Sequence, residues 1–105
     1  MKASRPHNEA VTELLREEPA FVDEYLAACL EEIDAPGGRE ALLMALRQVA
    51  DAQGMSSVAE RAGIQRESLY RALSPAHGNP TLKTLLAILE GAGLRLSVTR
   101  ANTPA

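Results

Sequence analysis

Tryptophan is absent from the 105 residues, and there are only one phenylalanine and two tyrosines, so a core must be built from Leu, Ala, Val and Ile. That palette favours helices. The single cysteine, Cys29, excludes an internal disulfide and a cysteine metal cluster, and two histidines add few soft ligands. No structural zinc site or other metal centre is expected. Long apolar runs are missing too: the longest, Tyr25 to Leu30 and Ala41 to Leu46, fall far short of the roughly 20 residues that span a bilayer. The start, Met1-Lys2-Ala3-Ser4-Arg5-Pro6, is basic but leads into His7, Asn8 and Glu9 rather than an apolar stretch, unlike a signal peptide. A soluble chain in a reducing cytoplasm, with no membrane partner, is expected. Catalytic spacings are also lacking, with no Walker loop, HExxH or GxSxG, and Gly91-Ala92-Gly93 is too short for a dinucleotide loop. The reading is therefore of a non-enzyme with no cofactor.

What is present is an ordinary globular mix, 46% apolar and 24% charged, of a length that suits one domain. The net charge of -3 conceals a division. Residues 1–53 hold 5 Lys and Arg against 11 Asp and Glu, a balance of -6, whereas residues 54–105 hold 6 against 3, a balance of +3. A basic half can approach phosphates and an acidic half cannot easily do so, which suggests two binding tasks on one small body. A solvated Glu-rich surface is the plainer alternative.

The hydrophobic period predicts mostly helices. Residues 1–18 read as a tail with a possible short helix over 9–17, in which Val11, Leu14 and Leu15 share a face. Pro19 suits a first helical turn, and Val22, Tyr25, Leu26, Cys29, Leu30 and Ile33 follow at helical spacing. Ala35-Pro36-Gly37-Gly38 breaks that helix. A further helix over 39–52 buries Leu42, Leu43, Leu46, Val49 and Ala50 and stops at Gly54. Three short helices are expected over 56–62, 66–73 and 81–91. Residues 94–100 alternate apolar and polar, which predicts a strand. A patternless tail covers 101–105.

Residues 55–74 have the pattern of a helix-turn-helix. Val58, Ala62, Ile64, Leu69 and Ala72 fall at its inward positions, Ala59 permits a close helix crossing, and Gly63 can adopt the left-handed conformation that ends the first helix. Ser57 and Glu60 are spaced as a capping box, with Ser56 a competing cap.

From about Phe21 to Val98 the sequence resembles the antidote proteins of type II toxin–antitoxin modules that carry an XRE/Cro-type, phage-repressor-like helix-turn-helix. The residues that carry the likeness are Arg66-Glu67-Ser68-Leu69-Tyr70-Arg71-Ala72-Leu73 and Gly78-Asn79-Pro80-Thr81-Leu82-Lys83-Thr84-Leu85. Gly-Asn-Pro-Thr before the helix that follows, then Gly-Leu-Arg-Leu, is typical of the subgroup paired with RelE/HigB-like toxins. The stretch before Phe21 has no counterpart in that pattern. The resemblance implies an all-α, helix-turn-helix bundle of about five helices over 19–100 with a short C-terminal β-strand. It also implies operator DNA and a RelE/HigB-like toxin as partners.

In that arrangement Gln65, Arg66, Glu67, Tyr70 and Arg71 face the major groove. Arg pairs with guanine O6 and N7, Gln with adenine, and Glu accepts from cytosine N4. Two readings stand for Glu67, base contact or an ion pair with Arg71 one turn on. Phosphate contacts fall to Ser56, Ser57, Ser74, Asn79, Thr81 and Lys83, around helix N-termini with unpaired N–H groups. For Thr81 an N-cap role is an equal reading.

Glu17, Glu18, Asp23, Glu24, Glu31, Glu32 and Asp34 lie within 18 residues, with Val22, Leu26 and Leu30 expected to pack inward. A toxin that binds RNA phosphate is basic, and Glu24, Glu31 and Glu32 are its candidate contacts. A homodimer is expected because one short helix reads too few base pairs, and 94–100 is its candidate interface, with packing of Leu94, Leu96 and Val98 back on the domain as the other reading. Two rivals stand beside the antitoxin: a stand-alone repressor of the same fold, and a protein-interaction module that no longer binds DNA.

Overall fold

A computed structural model describes residues 5–101, with the side chains of residues 5 and 6 left aside. The expected ends at 1–4 and 102–105 lie outside the described residues. The described residues form six helices: α1 (Arg5–Glu17), α2 (Phe21–Glu31), α3 (Gly38–Gln53), α4 (Met55–Ala62), α5 (Arg66–Ala72) and α6 (Leu82–Gly91). No described helix is long and apolar enough to cross a membrane.

The longest helix, α3, is the wall on which the others are hung. Leu43, Ala45, Leu46, Val49 and Ala50 are buried along it, and it packs against α1, α2 and α4. Beyond it α4 packs on both α5 and α6, and Val58, Leu69, Leu73 and Ile88 close the core at 1% exposure or less. Burial of each such side chain contributes roughly 1.5–3 kcal/mol, so a branched-aliphatic set carries the centre of the fold, with Phe21, Tyr25 and Tyr70 packed at its edge.

The first helix starts at Arg5, four residues before the expected 9–17 span. Pro6 falls in its first turn, where a missing N–H breaks no helical bond. Its inward stripe is Asn8, Val11, Thr12 and Leu15 rather than Val11, Leu14 and Leu15; Thr12 and Leu15 are buried while Leu14 is 37% exposed. The contact is anchored by a buried amide. Gln48 of α3 accepts a hydrogen bond from the Tyr25 hydroxyl of α2 and donates to Asn8 Oδ1 of α1 at 2.8 Å. Three helices thus meet on one side chain whose polar atoms are satisfied.

Helix α2 is shorter at both ends than the expected 19–34. Phe21 and Val22 donate to Glu18 and Pro19 in a turn, and from Glu32 the chain tightens into i→i+3 bonds. Gly37 takes φ 77°, and a Cβ on Gly38 would collide with the carbonyls of Glu32 and Ile33, so this corner is built around two glycines. The tighter winding leaves Leu30 48% exposed rather than packed inward.

The C-terminal strand is not formed. Residues 94–101 have no regular secondary structure, Leu94 packs back against the core, and no described segment pairs with them as the neighbour a strand requires.

Candidate nucleic-acid interface

The turn between α4 and α5 has the geometry its glycine implies. Gly63 sits at φ 74°, its N–H donates to the Glu60 carbonyl at 3.1 Å, and the Ile64 N–H reaches back to the Ala59 carbonyl at 3.0 Å. Those are the two bonds of a Schellman ending, which satisfy the last carbonyls of α4 and aim the chain into α5. Val58, Ala59 and Leu69 are buried and Ala62, Ile64 and Ala72 half-buried, so α4 and α5 are locked to each other by the residues at the inward positions.

The opposite face of α5 is open. Gln65, Arg66, Glu67 and Arg71 are exposed and Tyr70 is half-buried. Gln65 precedes the helix in extended conformation and accepts from the Leu69 N–H through its carbonyl, leaving its side chain uncommitted to capping. Arg66 Nη2 lies 3.4 Å from the Tyr70 hydroxyl and its guanidinium 5.5 Å from the ring centroid. That hydrogen bond holds the fully exposed guanidinium above its ordinary range. Arg71 donates to Ser68 Oγ at 3.3 Å; among the described residues it forms no ion pair with Glu67, which removes that reading of the pair in the free protein.

A residue outside the motif joins this face. The Arg47 guanidinium, from α3, stands 4.9 Å from the Tyr70 ring centroid. Two cations therefore share one aromatic ring, an arrangement that orients the tyrosine and concentrates positive charge beside it. The pairing spans more than twenty residues, so helical spacing carried no sign of it.

The hydroxyls and amides expected at phosphates are placed unevenly. Thr81 is the N-cap of α6 and accepts from the Thr84 N–H at 3.1 Å, as its capping role predicts, with Lys83 exposed in the next turn. Ser56 and Ser57 are exposed in the first turn of α4, but the expected capping box is absent: α4 starts at Met55, and its N-cap is Gly54 at φ 99°, with no side-chain cap bond. A single glycine ends α3 and begins α4, leaving no room for a serine cap. Ser74 accepts from the His77 N–H at 3.3 Å, and Asn79 accepts from Arg39 at 2.9 Å, a second arginine that the sequence pattern did not single out.

The acidic residues lie elsewhere. Asp23, Glu24 and Glu31 are exposed on α2, and Glu32 and Asp34 are exposed in the corner after it. Ala27, Ala28 and Leu30 are also exposed on α2.

Comparison with known proteins adds a family. A family model described as a probable addiction module antidote protein matches residues 5–100. A Haemophilus influenzae protein described only as uncharacterized is 38% identical over 80 residues, which cover 76% of this chain and 81% of that relative. No solved structure matches.

Proposed function

Because the chain belongs to the family of probable addiction module antidote proteins, we propose that it neutralises a RelE/HigB-like toxin and represses its own operon. In this reading it acts as a cytoplasmic homodimer that binds operator DNA. An antidote of this kind works by binding and catalyses nothing.

The observation that carries the DNA reading is the open face of α5, where Gln65, Arg66, Glu67, Tyr70 and Arg71 project from a helix fixed from behind by Leu69 and Leu73. Arg66 and Arg71 supply groups suited to guanine edges, and Tyr70, flanked by the Arg47 and Arg66 guanidinium groups, offers a hydroxyl to a base or a phosphate. Ser56, Ser57, Ser74, Asn79, Thr81 and Lys83 are assigned to phosphates around it. Thr81 caps α6 and also donates its hydroxyl to Thr84 Oγ1 at 3.1 Å, a bond it would exchange for one to a phosphate.

The toxin is assigned to α2 and the corner that follows. Glu24, Glu31 and Glu32 attract a basic ribonuclease, and the exposed Leu30 supplies an apolar anchor that sets the off-rate. The charge balance of -6 in residues 1–53 supports the same division.

Both halves are tested with one variant. Replacing Glu24, Glu31 and Glu32 by Lys should slow association with the RelE/HigB-like toxin encoded beside the gene, weaken its salt dependence and abolish growth rescue, while operator binding persists. Unchanged toxin association removes α2 as the docking surface. Absence of salt-dependent binding to upstream DNA by the unaltered protein removes the repressor half and leaves a protein-interaction module.

A further inference from the structure

Arg47 is a cation from the acidic half of the chain that stands beside the open face of α5. It leaves α3 half-buried and brings its guanidinium to 4.9 Å from the Tyr70 ring centroid, while Arg66 of α5 approaches the same ring at 5.5 Å. Stacking on a ring restrains a long side chain before any ligand arrives, so less rotamer freedom is lost on binding.

The restrained guanidinium keeps its donors free. Arg47 makes no hydrogen bond and no ion pair among the described residues, and none of its polar atoms is buried without a partner, so its fork of N–H groups reaches water. A competing acceptor stands one turn on in the same helix, at Asp51. An arginine placed N-terminal to its carboxylate has the weaker of the two orientations for such a pair, and the guanidinium takes the ring instead. The Asp51 charge acts on Arg66, as does that of Glu67.

Arg39, the other α3 arginine that reaches a residue assigned to phosphate, is placed differently. It is bonded to Asn79, and the groove it lines holds Asp34 and Glu40, whose carboxylates repel an anion. Arg47 is the α3 cation that has both restraint and free donors.

A planar guanidinium with free N–H groups matches phosphate oxygens, with which it forms paired, charge-assisted bonds. Its position, beside α5 and outside the helix-turn-helix, suits the sugar–phosphate backbone more than the base edges. A basic partner is repelled by two guanidinium groups on one ring, and an acidic polymer is attracted.

We infer that Arg47 is a DNA ligand: it grips a backbone phosphate at the edge of the groove that α5 enters, with the Tyr70 ring as the platform that holds its guanidinium in place. The inference deepens the proposed function and rests on the open face of α5 being the DNA face. It extends the DNA surface into the half of the chain whose charge balance of -6 spoke against phosphate.

Salt titration of DNA binding by the full chain tests it, on the duplex upstream of the gene and on a random duplex. Arg47→Met keeps an apolar stem over the ring and removes the charge. It should flatten the slope of log affinity against log salt by about 0.9 on both duplexes, so that its loss of affinity is about 3.5-fold greater at 50 mM than at 200 mM salt. Arg47→Lys should return the slope to that of the unaltered protein, a rescue that neither misfolding nor a purely structural role of Arg47 imitates. Arg16→Met, which removes a cation from α1, should leave the slope as it was. A slope that Arg47→Met does not change, or that lysine fails to restore, overturns the inference and leaves the repressor reading standing. Equal flattening by Arg16→Met also overturns it, since net charge is then the cause, and so does a loss confined to the specific duplex, which moves Arg47 to a base edge. If the unaltered protein shows no salt-dependent binding to either duplex, the repressor reading falls and this ligand falls with it.

Discussion

Replacing Gly91 by alanine puts the packing of the helix-turn-helix to a test whose sign is diagnostic. Gly91 closes α6 where that helix crosses α4, and a Cβ there would stand 2.7 Å from the Val58 carbonyl oxygen and 3.0 Å from both the Ala62 N and Cβ. Real Cβ atoms do not approach within 3.0 Å, and the obstacles include backbone, which has no rotamer to change. The two helices must therefore move apart by about half an ångström, an overpacking cost of roughly 1–3 kcal/mol. Its φ is not positive, so no left-handed conformation is at stake, and helix propensity alone favours alanine by up to ~1 kcal/mol. The propensity gain is reduced at the last helical residue, which leaves a net loss of about 1–2 kcal/mol. For a domain of this size that lowers the thermal midpoint by roughly 4–16 °C. Circular dichroism at the helical minimum reads the midpoint. The close approach is refuted by a midpoint that is unchanged or higher, because alanine would then have met open space.

Three further outcomes are expected. Arg66→Ala should weaken binding to the specific operator by roughly 1–3 kcal/mol and relax preference at one base, whereas Lys83→Ala should weaken all duplexes alike and lower the salt slope by about 1; equal losses on specific and random duplexes for Arg66→Ala would place that residue on phosphate. In a double-mutant cycle of Arg47→Ala and Tyr70→Ala, thermal stability should show a coupling of about 0.5–1 kcal/mol, and strict additivity would disprove the contact between α3 and α5. Burial raises the Tyr25 phenol above its ordinary 10.0, with the neighbouring Cys29 adding to the rise, and burial raises the Cys29 thiol above 9.0. The folded chain then holds more protons than the unfolded one in the alkaline range, so stability should be level to about pH 9 and fall above it; a midpoint that stays level there refutes the assignment.

The parts of the fold legible in the sequence are those fixed by neighbours along the chain. Gly63 announced the end of α4 because only a glycine relaxes into that conformation without cost, and Val58 and Leu69 announced the buried side through helical spacing. Thr81 is a cap because its hydroxyl reaches an N–H three residues on. Local rules also misled where two of them competed. Ser56 and Ser57 resemble caps, but Gly54 turns the chain so tightly from α3 into α4 that the helix has already begun when the serines arrive. Leu30 fits the apolar stripe of α2, yet the winding tightens just after it and leaves it in water. The 94–100 alternation predicted a strand that the described residues do not form, because alternation specifies a face and cannot supply a partner.

What sequence spacing could not reveal lies in contacts between distant segments, and two consecutive residues of α3 illustrate the physical reason. Arg47 and Gln48 are about 100° apart on the helix, so they leave it in different directions. Arg47 reaches the Tyr70 ring on the face assigned to DNA, while Gln48 takes the Tyr25 hydroxyl of α2 and donates to Asn8 of α1. Each has an amphipathic side chain that a periodicity count assigns to solvent, and each instead fixes a neighbouring helix through one polar or cationic contact. The acidic face on α2 and the open face on α5 are consequently referred to the same helix, α3, through adjacent side chains. A small chain with few aromatics positions two surfaces by giving its two tyrosines, Tyr25 and Tyr70, one neighbour each from that shared wall.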